Sequence, residues 1–196
     1  QTAIHNRVAA ISRGLVPGLE RMLEDHGVCL SSCLDFWEDD LVMQAFNRSL
    51  LLAPELYGNP WFLRDDEYPR LARLFNIHRQ NRDVLIKGMV LPEKQYGENA
   101  VSRGDENKRL LTLSNLSWEA VSYRISLDES IGLNNEGPFH IIQYHPFEKY
   151  TGTFARGEEI SIKVYPFRSA LIMVTDALPD EPLIDGCAYE VIQNVP

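Results

Sequence analysis

Near residue 89 the rule that spaces the apolar residues changes, and this change limits the folds open to the chain more than any other feature. Upstream, apolar residues recur at helical intervals between short apolar runs. Ile4, Val8, Ile11, Leu15, Leu19, Met22 and Leu23 approximate the stripe of a helix, interrupted at Gly14 and Pro17 and closed by Gly27. Val28 to Leu34 reads as a buried parallel strand, and Leu50 to Ala53 as a second. Between them, the acidic stretch Asp35 to Asp40 suits the positive end of a helix over Leu41 to Ser49. A long helix follows, with Asp65 or Asp66 as its cap and Gly88 at its end. Tyr68, Leu71, Leu74, Phe75, His78, Val84 and Leu85 populate one side of it.

Downstream the interval shortens towards two. Arg109 to Leu116, Ala120 to Leu127, Phe139 to His145, Glu159 to Tyr165 and Ser169 to Val174 alternate in part, with turn-forming separators such as Asp128 to Pro138 and Pro146 to Gly157. Helix, strand and loop in alternation predict βα units with parallel strands. Short strands with turn chemistry at regular spacing predict an antiparallel β-sandwich. The expected fold class is therefore α/β followed by all-β. Residues 1–88 form the first part, 89–176 the sandwich, and 177–196 a linker or the start of a further β segment. Two βα units cannot close a barrel of eight, so the first part is expected to lean on a portion upstream of this sequence. The opening QTAIHNRVAAISRG, with neither an initiator Met nor an apolar leader core, gives the same expectation.

Charge narrows the partners. The 196 residues carry 19 Lys and Arg against 28 Asp and Glu, a net charge of −9, which disfavours nucleic acid and anionic membrane surfaces. A neutral sugar is untouched by that argument. No stretch approaches the roughly 20 apolar residues of a membrane span. Cys29, Cys33 and Cys187 make neither a disulfide framework nor a zinc or redox pair.

His5, His26, His78, His140 and His145 lack metal-ligand spacing, so no metal and no cofactor is expected. His78 is expected to pack or hydrogen-bond, and His140 and His145, which bracket a strand, to face solvent. Arg103-Gly104-Asp105 reads as part of a solvated hairpin loop. Gly97, Gly104 and Gly132 read as turn residues.

Leu51-Leu-Ala-Pro-Glu-Leu-Tyr-Gly-Asn-Pro-Trp-Phe-Leu, Asn76 to Leu85, Thr151-Gly-Thr-Phe and Pro166 to Leu171 together carry a family resemblance. Over about residues 28 to 176, the layout resembles the end of the (β/α)-barrel and the appended sandwich of α-galactosidase-like glycoside hydrolases. The resemblance implies a TIM-type barrel, a carbohydrate substrate and a periplasmic or secreted setting. It also places the catalytic carboxylates on mid-barrel strands upstream, so the catalytic residues are unknown from this sequence.

Loops at the C-terminal ends of barrel strands meet substrate. The first such loop contains Asp35, Trp37 and Glu38, and the second contains Glu55, Tyr57 and Trp61. Flat rings that cover a pyranose and carboxylates that accept its hydroxyl protons are the mixture sugar binding requires. Asp35 and Glu55, on neighbouring strands, could also approach each other as a glycosidase carboxylate pair. The expected function is a part of a glycoside hydrolase acting on oligo- or polysaccharide, with this chain as active-site rim and supporting sandwich. The other reading is a non-catalytic carbohydrate-binding or structural module.

Overall fold

A computed structural model describes residues 28–29, 37–47, 56–57 and 59–180. It begins with strand β1 (Val28–Cys29), helix α1 (Trp37–Val42, continued as a π-helical turn over Met43–Asn47) and strand β2 (Leu56–Tyr57). Short 3-10 turns at Pro60–Phe62 and Asp65–Glu67 lead into helix α2 (Tyr68–Leu85). Then come β3 (Gly88–Val90), the short helix α3 (Glu93–Tyr96), β4 (Val101–Gly104), β5 (Lys108–Ser114) and β6 (Val121–Ser126). β7 (Phe139–His145), β8 (Lys149–Phe154), β9 (Glu159–Val164) and β10 (Ser169–Thr175) complete the described chain. Its architecture is mixed helix and antiparallel sheet. The helix expected over 2–26 and the tail from 181 lie outside the described residues.

β1 and β2 pair in parallel, Val28 opposite Leu56 and Cys29 opposite Tyr57. The partner of the first strand thus falls at Leu56–Tyr57, inside the segment expected to be loop, while 50–53 lies outside the described residues. The physical reason is that pairing with β1 is a tertiary contact, which the spacing of apolar residues within a short run does not encode.

Downstream, β3-β4-β5-β10-β7-β8 form one antiparallel sheet in that order, and β6 pairs with β9 as a separate antiparallel ribbon. The burial of each strand reports how many faces are covered. β10, Ser-Ala-Leu-Ile-Met-Val-Thr, is buried at every position because both its faces are packed. β9, Glu-Ile-Ser-Ile-Lys-Val, alternates exposed and buried because only one face is. Leu110, Ile142, Tyr144, Leu171 and Met173 face the helices and share a core with Trp37, Leu41, Phe46, Leu74, Ile77 and Leu85. Leu111, Leu113, Ile141, Ile172 and Val174 face the other way and pack with Tyr123, Ile125, Ile160, Ile162 and Val164 of the ribbon. The central sheet is therefore layered between helices and ribbon.

Three strands stand where alternation gave no sign. β3 and β4 are short, and β8 lies within the stretch 146–157 expected to be a separator. β8 alternates only between exposed and half-buried, as an edge strand does, so its sequence lacks the apolar contrast that marks a strand.

α2 also departs from its expected ends. Neither Asp65 nor Asp66 caps it; instead Glu67 Oε2 accepts from the backbone N–H of Arg64 at 2.7 Å, ordering the turn ahead of the helix. The helix stops at Leu85, and Gly88 opens β3 opposite Arg103. Gly104 sits within a strand at φ 145, where a Cβ would lie 1.9 Å from Lys108 O, so close strand approach demands glycine there. Its neighbour Arg103 is only 5% exposed and donates to Asn47 O, which removes the Arg-Gly-Asp triplet from the surface as a unit.

Candidate functional site

α1 meets the sheet through buried charge. Asp39, 1% exposed, accepts at Oδ1 from Ser169 N at 2.6 Å, Ser169 Oγ at 2.9 Å and His145 Nε2 at 3.0 Å. Its Oδ2 accepts from Arg168 Nε at 2.8 Å. Beside it, Arg70 Nη2 donates to Tyr144 O at 2.7 Å and lies 3.1 Å from His145 Nδ1, and Arg70 Nε lies 3.3 Å from Glu38 Oε2. A guanidinium can only donate, so His145 Nδ1 accepts and Nε2 carries the proton given to Asp39. The ring is thereby fixed as one neutral tautomer. Burial pushes its pKa below the usual imidazole range, against the pull of Asp39. A second buried pair, Arg73 to Glu148, is bidentate at 3.1 and 2.6 Å, with the guanidinium 5.5 Å above the Tyr144 ring.

Ser169, His145 and Asp39 invite comparison with a nucleophilic triad, but the bonding differs from one. A triad needs the hydroxyl on the imidazole, whereas here Ser169 Oγ donates to the carboxylate. His145 is fully enclosed, so no substrate carbonyl reaches it. The cluster joins helix to sheet. It also corrects the expectation that His145 faces solvent: Leu171 opposite His145 belongs to a central strand covered on both faces. His140 is half-buried, with Nδ1 2.9 Å from Tyr150 Oη. Among the described residues, no three His, Cys, Asp or Glu side chains converge as a metal site requires.

The expected sugar-contacting residues separate into distinct surroundings. Asp35 and Glu55 lie outside the described residues. Tyr57 stands on β2, opposite Cys29. Trp37 is 2% exposed, and its indole N–H donates to Glu67 Oε1 at 2.9 Å. Its ring is a peg between α1 and the turn before α2, packed in the core with Leu41, Phe46 and Leu74. Glu38 is half-buried and paired with Arg70. Trp61 is 89% exposed, presented on a 3-10 turn that Asn59 organises by accepting from Trp61 N at 3.0 Å.

Sequence reading passed over a second displayed indole. Trp118, 85% exposed, sits in the turn between β5 and β6 and meets Phe167 edge-on, ring centroids 4.7 Å apart at 87°. No periodic pattern marks a ring in a turn. The signal available was composition alone: a tryptophan among Asn, Ser and Glu, where apolar residues are unusual. His78 fits its expectation, buried edge-to-face against Phe46, with burial lowering its pKa from 6.5 to about 4.

These features define a parallel βα entry packed on an antiparallel sheet whose joint is built from buried ion pairs. No protein-family model and no curated protein matches the sequence. Among solved structures the chain is similar to a Bacillus halodurans protein provisionally assigned as an alpha-N-acetylgalactosaminidase. That likeness has a TM-score of 0.51 at 15% identity and covers 76% of this chain and 32% of the other. A beta-L-arabinopyranosidase from Geobacillus stearothermophilus gives 0.48 at 12% identity, covering 77% of this chain and 32% of that one. Alpha-galactosidase I from Mortierella vinacea gives 0.41 at 13% identity, covering 79% and 37%. The chain thus spans about a third of the length of these structures, and its likeness to the Bacillus halodurans protein is one of fold.

Proposed function

We propose that this chain is part of a glycoside hydrolase acting on an oligo- or polysaccharide, and that it supplies the rim of the active site and a supporting sheet domain. The observation that carries the reading is the fold shared with the Bacillus halodurans protein. On this reading β1 and β2 are late strands of a TIM-type barrel over residues 1–88, and 89–176 is the appended sandwich. The barrel is completed by a portion of the same protein upstream. Asp35 and Glu55 accept sugar hydroxyl protons, and Tyr57 and Trp61 offer ring faces. Trp37 and Glu38 hold the base of the first loop. The substrate class that the similar protein's assignment suggests is an α-linked N-acetylgalactosaminide.

The catalytic pair belongs upstream. Glu38 with Arg70 and Asp39 with Arg168 are ion pairs at the joint, which supports a positioning role for these carboxylates. The same observation favours the second reading, a non-catalytic binding or structural module, for this chain taken alone. In the complete protein, Asp35→Ala is expected to lower kcat/KM at least about tenfold with the melting temperature nearly unchanged. Trp61→Ala is expected mainly to raise KM, since stacking holds ground and transition states alike. Parental turnover of glycosides by both variants sinks the rim assignment. Binding without any turnover by the complete protein selects the module.

A further inference from the structure

One end of the central sheet carries aromatic rings that the proposed rim does not use. Ser114 at the end of β5 pairs with Ser169 at the start of β10, so the β5–β6 and β9–β10 turns project from the same end. Trp118 stands on the first turn and Phe167 on the second. Both turns are held firmly. Asn115 Oδ1 accepts from Ser117 N at 2.9 Å and Ser117 Oγ at 2.7 Å, while Asn115 Nδ2 donates to Glu119 O at 2.7 Å and Val164 O at 3.1 Å. Phe167 adopts φ 56, a conformation that a bulky residue keeps only when its surroundings impose it. The result is an indole braced edge-on by a phenyl ring and still 85% exposed.

The position and size of this ring argue for its occupant. Arg168 follows Phe167 and holds Asp39, so the platform stands where α1 meets the start of β10. A single braced indole matches one pyranose, whose C–H face stacks on an aromatic ring while its hydroxyls reach polar neighbours. Ser117 and Glu119 flank Trp118 in sequence and give the turn its polar side chains. A stable protein interface needs about 800 Å² per partner, far beyond two rings in a polar surround. The net charge of −9 opposes a nucleic-acid strand stacking there.

We propose that Trp118, braced by Phe167, is an accessory platform that binds one neutral pyranose unit of an oligosaccharide; its ligand class rests on the glycoside hydrolase reading. The test titrates the full chain with galacto-oligosaccharides and with oligosaccharides bearing α-linked N-acetylgalactosamine by calorimetry. Trp118→Ala is expected to weaken binding about tenfold at an unchanged thermal midpoint, and Trp118→Phe to weaken it less. A parental Kd in Trp118→Ala overturns the platform and leaves the glycoside hydrolase reading standing, with sugar held elsewhere. A parent chain that binds neither series, although the complete protein cleaves glycosides, overturns the platform alone. Absence of both binding and cleavage in the complete protein overturns both readings. Sedimentation showing a dimer that Trp118→Ala dissociates assigns the ring to self-association and ends the proposal.

Discussion

Arg168 Nε donates to Asp39 Oδ2 at 2.8 Å across 129 positions of sequence, fastening the first turn of α1 to the turn before β10. The same carboxylate receives Ser169 N and His145 Nε2, so one buried side chain ties α1 to β10 and β7.

Asp39→Ala is expected to destabilise the protein by roughly 3–5 kcal/mol, because it strands buried donors around a vanished charge. Urea unfolding followed by circular dichroism measures it. Arg168→Ala, whose side chain is 32% exposed, should cost about 1 kcal/mol or less. Equal costs for the two variants would contradict the central place given to the carboxylate.

The buried pair Arg73 and Glu148 gives a contrast between breaking and replacing. Arg73→Ala leaves Glu148 charged and enclosed, at a cost of roughly 3–5 kcal/mol. Changing both to leucine removes the stranded charge and should recover most of that loss. A double variant no more stable than Arg73→Ala would show that the pair does more than neutralise itself.

Leu74, 1% exposed, lies in the core that α2 shares with the sheet. Leu74→Ala should cost roughly 2–5 kcal/mol through lost transfer energy and the cavity left behind. A measured loss below about half a kcal/mol would mean that this face of α2 is not packed as described.

Acid sensitivity follows from the two buried histidines. Burial lowers the His78 pKa from 6.5 to about 4, and His145 shifts in the same direction. As pH falls, the unfolded chain takes up these protons before the folded one. Their contribution to stability is therefore complete above about pH 6.5 and is lost as pH drops towards 4. Thermal midpoints across that window should decline in the parent and less steeply in His78→Leu. Parallel curves would remove His78 from the explanation.

Much of the scaffold was legible in the residues. β7 is found where its alternation placed it, Phe139–His145, and β5, β6, β9 and β10 differ from expectation by only a residue or two at their ends. Period-two patterning is a local property that survives any tertiary arrangement. The long helix was legible for a similar reason, since Leu71, Leu74, Phe75 and Leu85 recur at helical spacing. The candidate site was legible only as composition. Trp37 and Trp61 look alike in sequence, yet one is 2% and the other 89% exposed.

By itself, the sequence determined the switch of spacing near residue 89, the strand-forming runs after it and the acidic balance that disfavours nucleic acid. These depend on neighbours within a few residues and on summed charge. Tertiary structure alone decided that β2 falls at Leu56–Tyr57, that His145 is enclosed and that Asp39 meets Arg168. It also decided which tryptophan becomes a peg and which are displayed on a turn. Burial and ion pairing join residues a hundred positions apart, and no local spacing encodes which distant strand will cover a given side chain.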